Sequence, residues 1–180
     1  MKKFSLLVAV AAGAVALPTA ASAQEAAAET YVGISAGIHD LGVDEDDLGV
    51  ELEDSSPIIG VVAGVDFPLG QSTFAGVEGN YHFGTDAIDS EYGASVRVGF
   101  QANGGAKYYV RGGYQWVDLD VEEIAGIDLG PLADDIDDTD GDYLVGVGAD
   151  FPIGNSAFRV NLDTISFDTI RGTVGYVLKF

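Results

Sequence analysis

The sequence has no cysteine among its 180 residues. That excludes disulfides, zinc–thiolate sites, cysteine nucleophiles and lipid-modified cysteine anchors. Basic residues are scarce: eight Lys and Arg stand against 29 Asp and Glu, a formal charge of −21. A chain so poor in cations lacks the groups that neutralise phosphates, and no nucleic acid is expected as a partner. Long apolar runs are missing beyond the N-terminus. The longest, Ile58 to Val65, includes Gly60 and Gly64 and falls well short of the ~20 residues a membrane helix needs. What remains is incompatible with disorder, because 47% of residues are apolar and 10% aromatic. Glycine, at 25 residues, is about twice its ordinary share, which speaks against a helical bundle.

Residues 1–23 read as a secretory signal peptide. Lys2 and Lys3 form the charged start, Phe4 to Leu17 the apolar stretch, and Pro18 with Ala21-Ser22-Ala23 the cleavage region. Processing before Gln24 removes both lysines and leaves six basic residues against 29 acidic ones, a net charge of −23. Residues 24–29 are expected to be a short stub and residues 30–180 one domain.

That domain is patterned in period two. In Glu91–Gln101 even positions are apolar and odd ones small, polar or charged; Ile170, Val174, Tyr176, Leu178 and Phe180 likewise share one face. Eight such segments are predicted, at 30–39, 57–67, 73–84, 91–101, 106–117, 142–151, 157–165 and 169–180, each near the length of a tilted membrane strand. Three connections are tight: 68–72, 102–105 and 152–156. Asp66-Phe67-Pro68-Leu69-Gly70-Gln71-Ser72 recurs as Asp150-Phe151-Pro152-Ile153-Gly154-Asn155-Ser156, with Pro and Gly where a type I turn favours them. Connections 40–56, 85–90 and 118–141 are longer and acidic, and 166–168 is short. With an even strand count, the long connections share one end of the sheet.

Strand parity sorts the charges. The basic residues Arg97, Lys107, Arg111, Arg159, Arg171 and Lys179 share the polar face with Asp66, Glu78, Glu91, Asp142, Asp150 and Asp163. The other face carries almost no charge. A soluble barrel or sandwich would turn that apolar face inward; a membrane barrel turns it toward lipid. Aromatic spacing favours lipid. Tyr92 and Phe100, Tyr108 and Trp116, and Tyr143 and Phe151 are each eight residues apart, roughly 20 Å along the membrane normal in tilted strands, which suits two aromatic girdles. Phe67, Phe158 and Phe180 join the tight-turn girdle, and Tyr81 and Phe83 the other.

Tyr176, Leu178 and Phe180 alternate up to a final Phe. This resembles the terminal signature of small outer-membrane β-barrels, which their assembly machinery reads. Lys107-Tyr108-Tyr109-Val110-Arg111-Gly112-Gly113-Tyr114 is similar to a mid-barrel strand of porin-family proteins and opacity-type surface antigens. The resemblance implies an all-β fold: a closed, antiparallel, eight-stranded transmembrane barrel in a Gram-negative outer membrane, with short periplasmic turns and long acidic outer loops.

An eight-stranded lumen is just wide enough to be filled by side chains, and charges inside it need partners. An ion-pair network of Asp66, Glu78, Arg97, Lys107, Arg111, Asp150, Arg159, Asp163 and Arg171 is expected. Glycines of the same parity, including Gly64 and Gly148, are expected to make room for the arginines. His39, His82, Ser35 and Ser95 are polar-face candidates for Ser–His–acid chemistry, but no motif links them, so no catalysis is expected. Asp134–Asp142 fails as an EF-hand loop, since Ile136 would take position 1 and Val147 position 12. No cofactor or metal centre is expected beyond loose Ca²⁺ or Mg²⁺ held by clustered acids there, at Asp44–Asp47 and at Glu51–Asp54. The expected partners are outer-membrane lipid and lipopolysaccharide, the assembly machinery, and a surface ligand met by loops 40–56 and 118–141. The expected role is structural or adhesive. The alternatives are a narrow ion channel and a soluble periplasmic or secreted ligand-binding barrel.

Overall fold

The computed structural model describes residues 27–40, 55–84, 88–119 and 139–180. The signal segment 1–23, most of the stub and the centres of the acidic loops lie outside the described residues.

Period-two patterning yields eight strands: β1 (Glu29–Asp40), β2 (Ser55–Pro68), β3 (Thr73–Gly84), β4 (Ile88–Gln101), β5 (Lys107–Leu119), β6 (Thr139–Ile153), β7 (Ser156–Ile165) and β8 (Thr169–Lys179). Each pairs antiparallel with its neighbour, and β1 pairs with β8 to close the barrel. Closure leaves no strand edge unpaired, as a lipid environment demands. The connections 69–72, 102–106 and 154–155 lie at one end. Those spanning 41–54, 85–87, 120–138 and 166–168 lie at the other.

One boundary differs in kind from the sequence reading. The expected acidic connection 85–90 is half strand, because β4 begins at Ile88. A register shift between Ile88 and Ser90 reverses the alternation there. A bulge of this sort places two residues opposite one, so Ile88 and Ser90 become buried despite their even numbers. Strands β2, β5 and β6 also run past their expected ends.

The apolar face points outward. Val96 is 58% exposed and Val110 61%, whereas their neighbours Arg97 and Arg111 are buried. Tyr92, Phe100, Tyr108, Trp116, Tyr143, Phe151, Phe158, Phe67 and Phe180 are all exposed on the outer surface. At the long-connection end the rings Phe83, Tyr81, Tyr92, Trp116, Tyr114 and Tyr143 touch in sequence across β3 to β6, with Tyr92 and Trp116 stacked at 5.6 Å. Tyr176, Leu178 and Phe180 also face outward and are exposed.

Candidate functional site

The interior is the site. Strand alternation sends polar side chains from all eight strands into a space too narrow for water to solvate them. The geometry there is set by charge.

Near the tight-turn end, Arg97 (β4) grips Asp66 (β2) with two hydrogen bonds, both 2.8 Å. Arg159 (β7) grips Asp150 (β6) in the same way, at 2.7 Å for both. Bidentate guanidinium–carboxylate pairs are the strongest of the charge-assisted bonds. Glu78 (β3) is the hub between them. It accepts from Arg111 at 3.0 Å, from Arg159, and from the Tyr31 hydroxyl at 2.7 Å. Lys107 donates to Asp66 (2.7 Å) and Glu29 (2.6 Å), and Lys179 lies 3.2 Å from the same Glu29 oxygen. The ring of Tyr31 lies 4.5 Å from the Arg97 guanidinium and 4.6 Å from that of Arg159, and Tyr109 lies 4.7 Å from Arg97. Such cation–π contacts strengthen when water is excluded. Arg97 and Arg111 are directly opposite across β4 and β5, a pairing that repels. Each guanidinium is drawn away by its own carboxylates.

Toward the long-connection end, Arg171 (β8) donates to Glu91 (β4) at 2.5 Å and to Asp163 (β7) at 3.0 Å. Asp163 also lies 3.3 Å from Arg111 Nε, which links the two halves. Glu91 meets both histidines, with Oε2 2.7 Å from His39 Nδ1 and Oε1 3.2 Å from His82 Nδ1. His82 Nε2 is 2.6 Å from Ser35 Oγ, and His39 Nε2 is 3.1 Å from Thr169 Oγ1. Five aliphatic side chains, Ile58, Ile88, Val117, Leu144 and Ile165, are buried at this end.

Every residue of the expected network lies in the lumen and meets an opposite charge. Sequence reasoning missed the tyrosines. A Cβ on Gly64 would meet the Tyr31 ring, and one on Gly148 the Tyr109 ring. At these two positions glycine accommodates tyrosine, where arginine had been expected. The inward parity of Tyr31 and Tyr109 was the available signal. Reasoning from motifs also missed that Ser35, His82 and Glu91 converge into a Ser–His–acid chain. Ser35 is buried, and β1 is paired on both sides at Ser35, so its backbone amides are committed to the ladder. An oxyanion needs free donors aimed at it.

A family model described as the outer membrane protein β-barrel domain matches residues 7–177. No curated protein matches the sequence. Similar solved structures include Ail, the attachment invasion locus protein of Yersinia pestis, in complex with the heparin analogue sucrose octasulfate. It aligns with a TM-score of 0.51 and 13% identity over 85% of this chain and 97% of that one. The N-terminal β-barrel domain of Pseudomonas aeruginosa OprF gives 0.51 and 12%, over 87% and 100%. Neisserial surface protein A gives 0.50 and 12%, over 86% and 100%. At these identities the likeness is one of fold.

Proposed function

The chain belongs to the outer-membrane protein β-barrel family, and from that premise we propose that it is a sealed scaffold that presents acidic loops at the cell surface. One observation carries this reading: six cations and six carboxylates fill the lumen, the arginines and most of the carboxylates fully buried and all engaged with opposite charge. Opening a path for solute would mean separating buried pairs, each costly to break. Binding is therefore assigned to loops held by a rigid frame.

The tight turns face the periplasm, and loops 40–56 and 118–141 face outward. The signal peptide 1–23 is removed on export. Tyr176, Leu178 and Phe180 serve the assembly machinery, and the aromatic girdles rest at the two lipid interfaces. No catalysis and no resident cofactor belong to this role. Residues 40–56 and 118–141 hold 18 of the 29 acids, eight in the first segment and ten in the second. That charge repels a polyanion of the kind bound to Ail. It favours basic partner surfaces, or anionic lipopolysaccharide bridged by loosely held Ca²⁺ or Mg²⁺.

Fractionation with protease shaving of intact cells tests the placement. Cuts should map to 40–56 and 118–141 and spare the tight turns, with loop sensitivity changing on chelation. Planar-bilayer recording tests the seal: stable open steps at neutral pH would replace the scaffold by the narrow-channel reading.

A further inference from the structure

The β7–β8 connection carries a strain that its own packing does not offset. The Asp168 amide donates to the Ile165 carbonyl at 3.3 Å and closes a turn whose two central residues, Ser166 (φ 58°) and Phe167 (φ 67°), are both left-handed. Turns of this kind ordinarily take Asn-Gly or Gly-Gly, because a side chain at positive φ crowds its own backbone. Here one of the two is a phenylalanine, 74% exposed. The turn is nevertheless held firmly. The Ser166 amide donates to the Tyr143 carbonyl on β6 at 3.0 Å, and the Thr169 hydroxyl donates to the Ile165 carbonyl at 3.2 Å. Strained backbone persists only where its surroundings over-determine it, and it collects at binding sites. A ring fixed before any partner arrives loses little freedom on being covered.

The surroundings of the ring set the chemistry of what covers it. The bond from the Ser166 amide brings the turn beside Tyr143, itself 68% exposed. Asp168 is exposed next to Phe167, and a side-chain hydrogen bond joins Ser166 to Asp142. No cation of this chain answers these carboxylates. Lys2 and Lys3 belong to the signal segment, and Arg97, Lys107, Arg111, Arg159, Arg171 and Lys179 are all engaged by lumen carboxylates. Segments 40–56 and 118–141, which share this end, hold 18 further acids. An apolar ring rimmed by carboxylates is repelled by anionic headgroups. It suits a cationic polypeptide, whose aliphatic side chains cover the ring while a guanidinium lies over an aromatic face or pairs with an acid.

We propose that the β7–β8 turn is a docking point for a basic polypeptide, with Phe167 as the apolar anchor and Asp142 and Asp168 as the carboxylates that pair with the partner's arginine or lysine. The strain then has a reason: glycine at position 167 would relax the turn and remove the anchor. In the cell this rests on the surface-scaffold reading, but the binding itself is measurable whichever way the barrel faces.

The test uses the protein isolated from outer membranes and placed in nanodiscs of neutral phosphatidylcholine, with empty nanodiscs as the blank. The probes are two labelled peptides of equal charge, one of arginine, leucine and glycine, the other with serine in place of leucine, titrated by fluorescence anisotropy. The leucine peptide should bind more tightly. Phe167→Gly should weaken the leucine peptide about tenfold and leave the serine peptide nearly unchanged. Asp168→Asn should weaken both about threefold. Gel mobility checks that each variant stays folded. Phe167→Trp, made together with Trp116→Phe to remove the one native tryptophan, reports where the ring sits: its emission should shift when the leucine peptide is added and should not be quenched by brominated lipid. Equal binding of the two peptides, no binding of either, binding unchanged in Phe167→Gly, or quenching by brominated lipid before peptide is added would each overturn the proposal. None of these outcomes touches the placement of the loops, which protease shaving decides separately.

Discussion

The two ends of the barrel solve the same problem differently. At the tight-turn end Asp66, Glu78 and Asp150 each meet at least two cations, and the turns place glycine at positive φ, Gly105 at 83° and Gly154 at 62°. At the long-connection end Glu91 serves Arg171 and two imidazoles, and Asp163 shares Arg171 with it. The positive φ angles there fall on Ser166 (58°) and Phe167 (67°). One end is over-determined and unstrained. The other sets two imidazoles among its ion pairs, carries backbone strain, and bears the long connections. Backbone strain concentrates where a fold keeps its function.

Glu78→Ala tests the redundant end and should have the largest effect. It strips a shared carboxylate from Arg111 and Arg159 and a partner from Tyr31, and should destabilise the barrel by about 4 kcal/mol, read by urea unfolding in bilayers with gel mobility as the probe. Leu144→Ala removes an aliphatic side chain buried at the opposite end and should cost about 3 kcal/mol in the same assay. Glu91→Gln should cost about 2 kcal/mol, because Arg171 keeps Asp163 and the amide keeps a hydrogen-bonding oxygen. If Glu91→Gln matched Glu78→Ala, the contrast between the ends would fail.

How far the site could be read from sequence follows the same geometry. Parity placed the charges of the expected network, because the alternation of a strand is local. Glu29, assigned to the stub, joins it by pairing with Lys107 and Lys179, while Asp142 instead accepts from the Tyr143 amide. Hairpin register also brings some pairs directly opposite: Asp150 with Arg159, Asp163 with Arg171, and His82 with Glu91. Those are legible once the turns are located. Arg97–Asp66, Arg111–Glu78 and His39–Glu91 cross the lumen between strands that are not neighbours. Their meeting depends on the stagger with which the sheet closes, which no local pattern encodes. The bulge at Ile88 was hidden for a related reason: an extra residue breaks the periodicity from which strands are recognised.

The smallest effect concerns the turns, and it has opposite signs at the two ends. Phe167 carries a bulky side chain in a left-handed conformation and is 74% exposed, so it gains little from packing. Phe167→Gly should therefore stabilise the barrel by about 1 kcal/mol, the relief of left-handed strain less the greater freedom of glycine in the unfolded chain. Gly154 has the same kind of φ, and a Cβ there would meet nothing within 4 Å. Gly154→Ala should cost about 1 kcal/mol through the backbone alone. Measured side by side, the pair separates strain from packing. Stabilisation by Phe167→Gly with loss of surface binding would mean that the strained turn presents its ring for recognition. Equal and same-signed shifts would mean that the turns do not distinguish the ends.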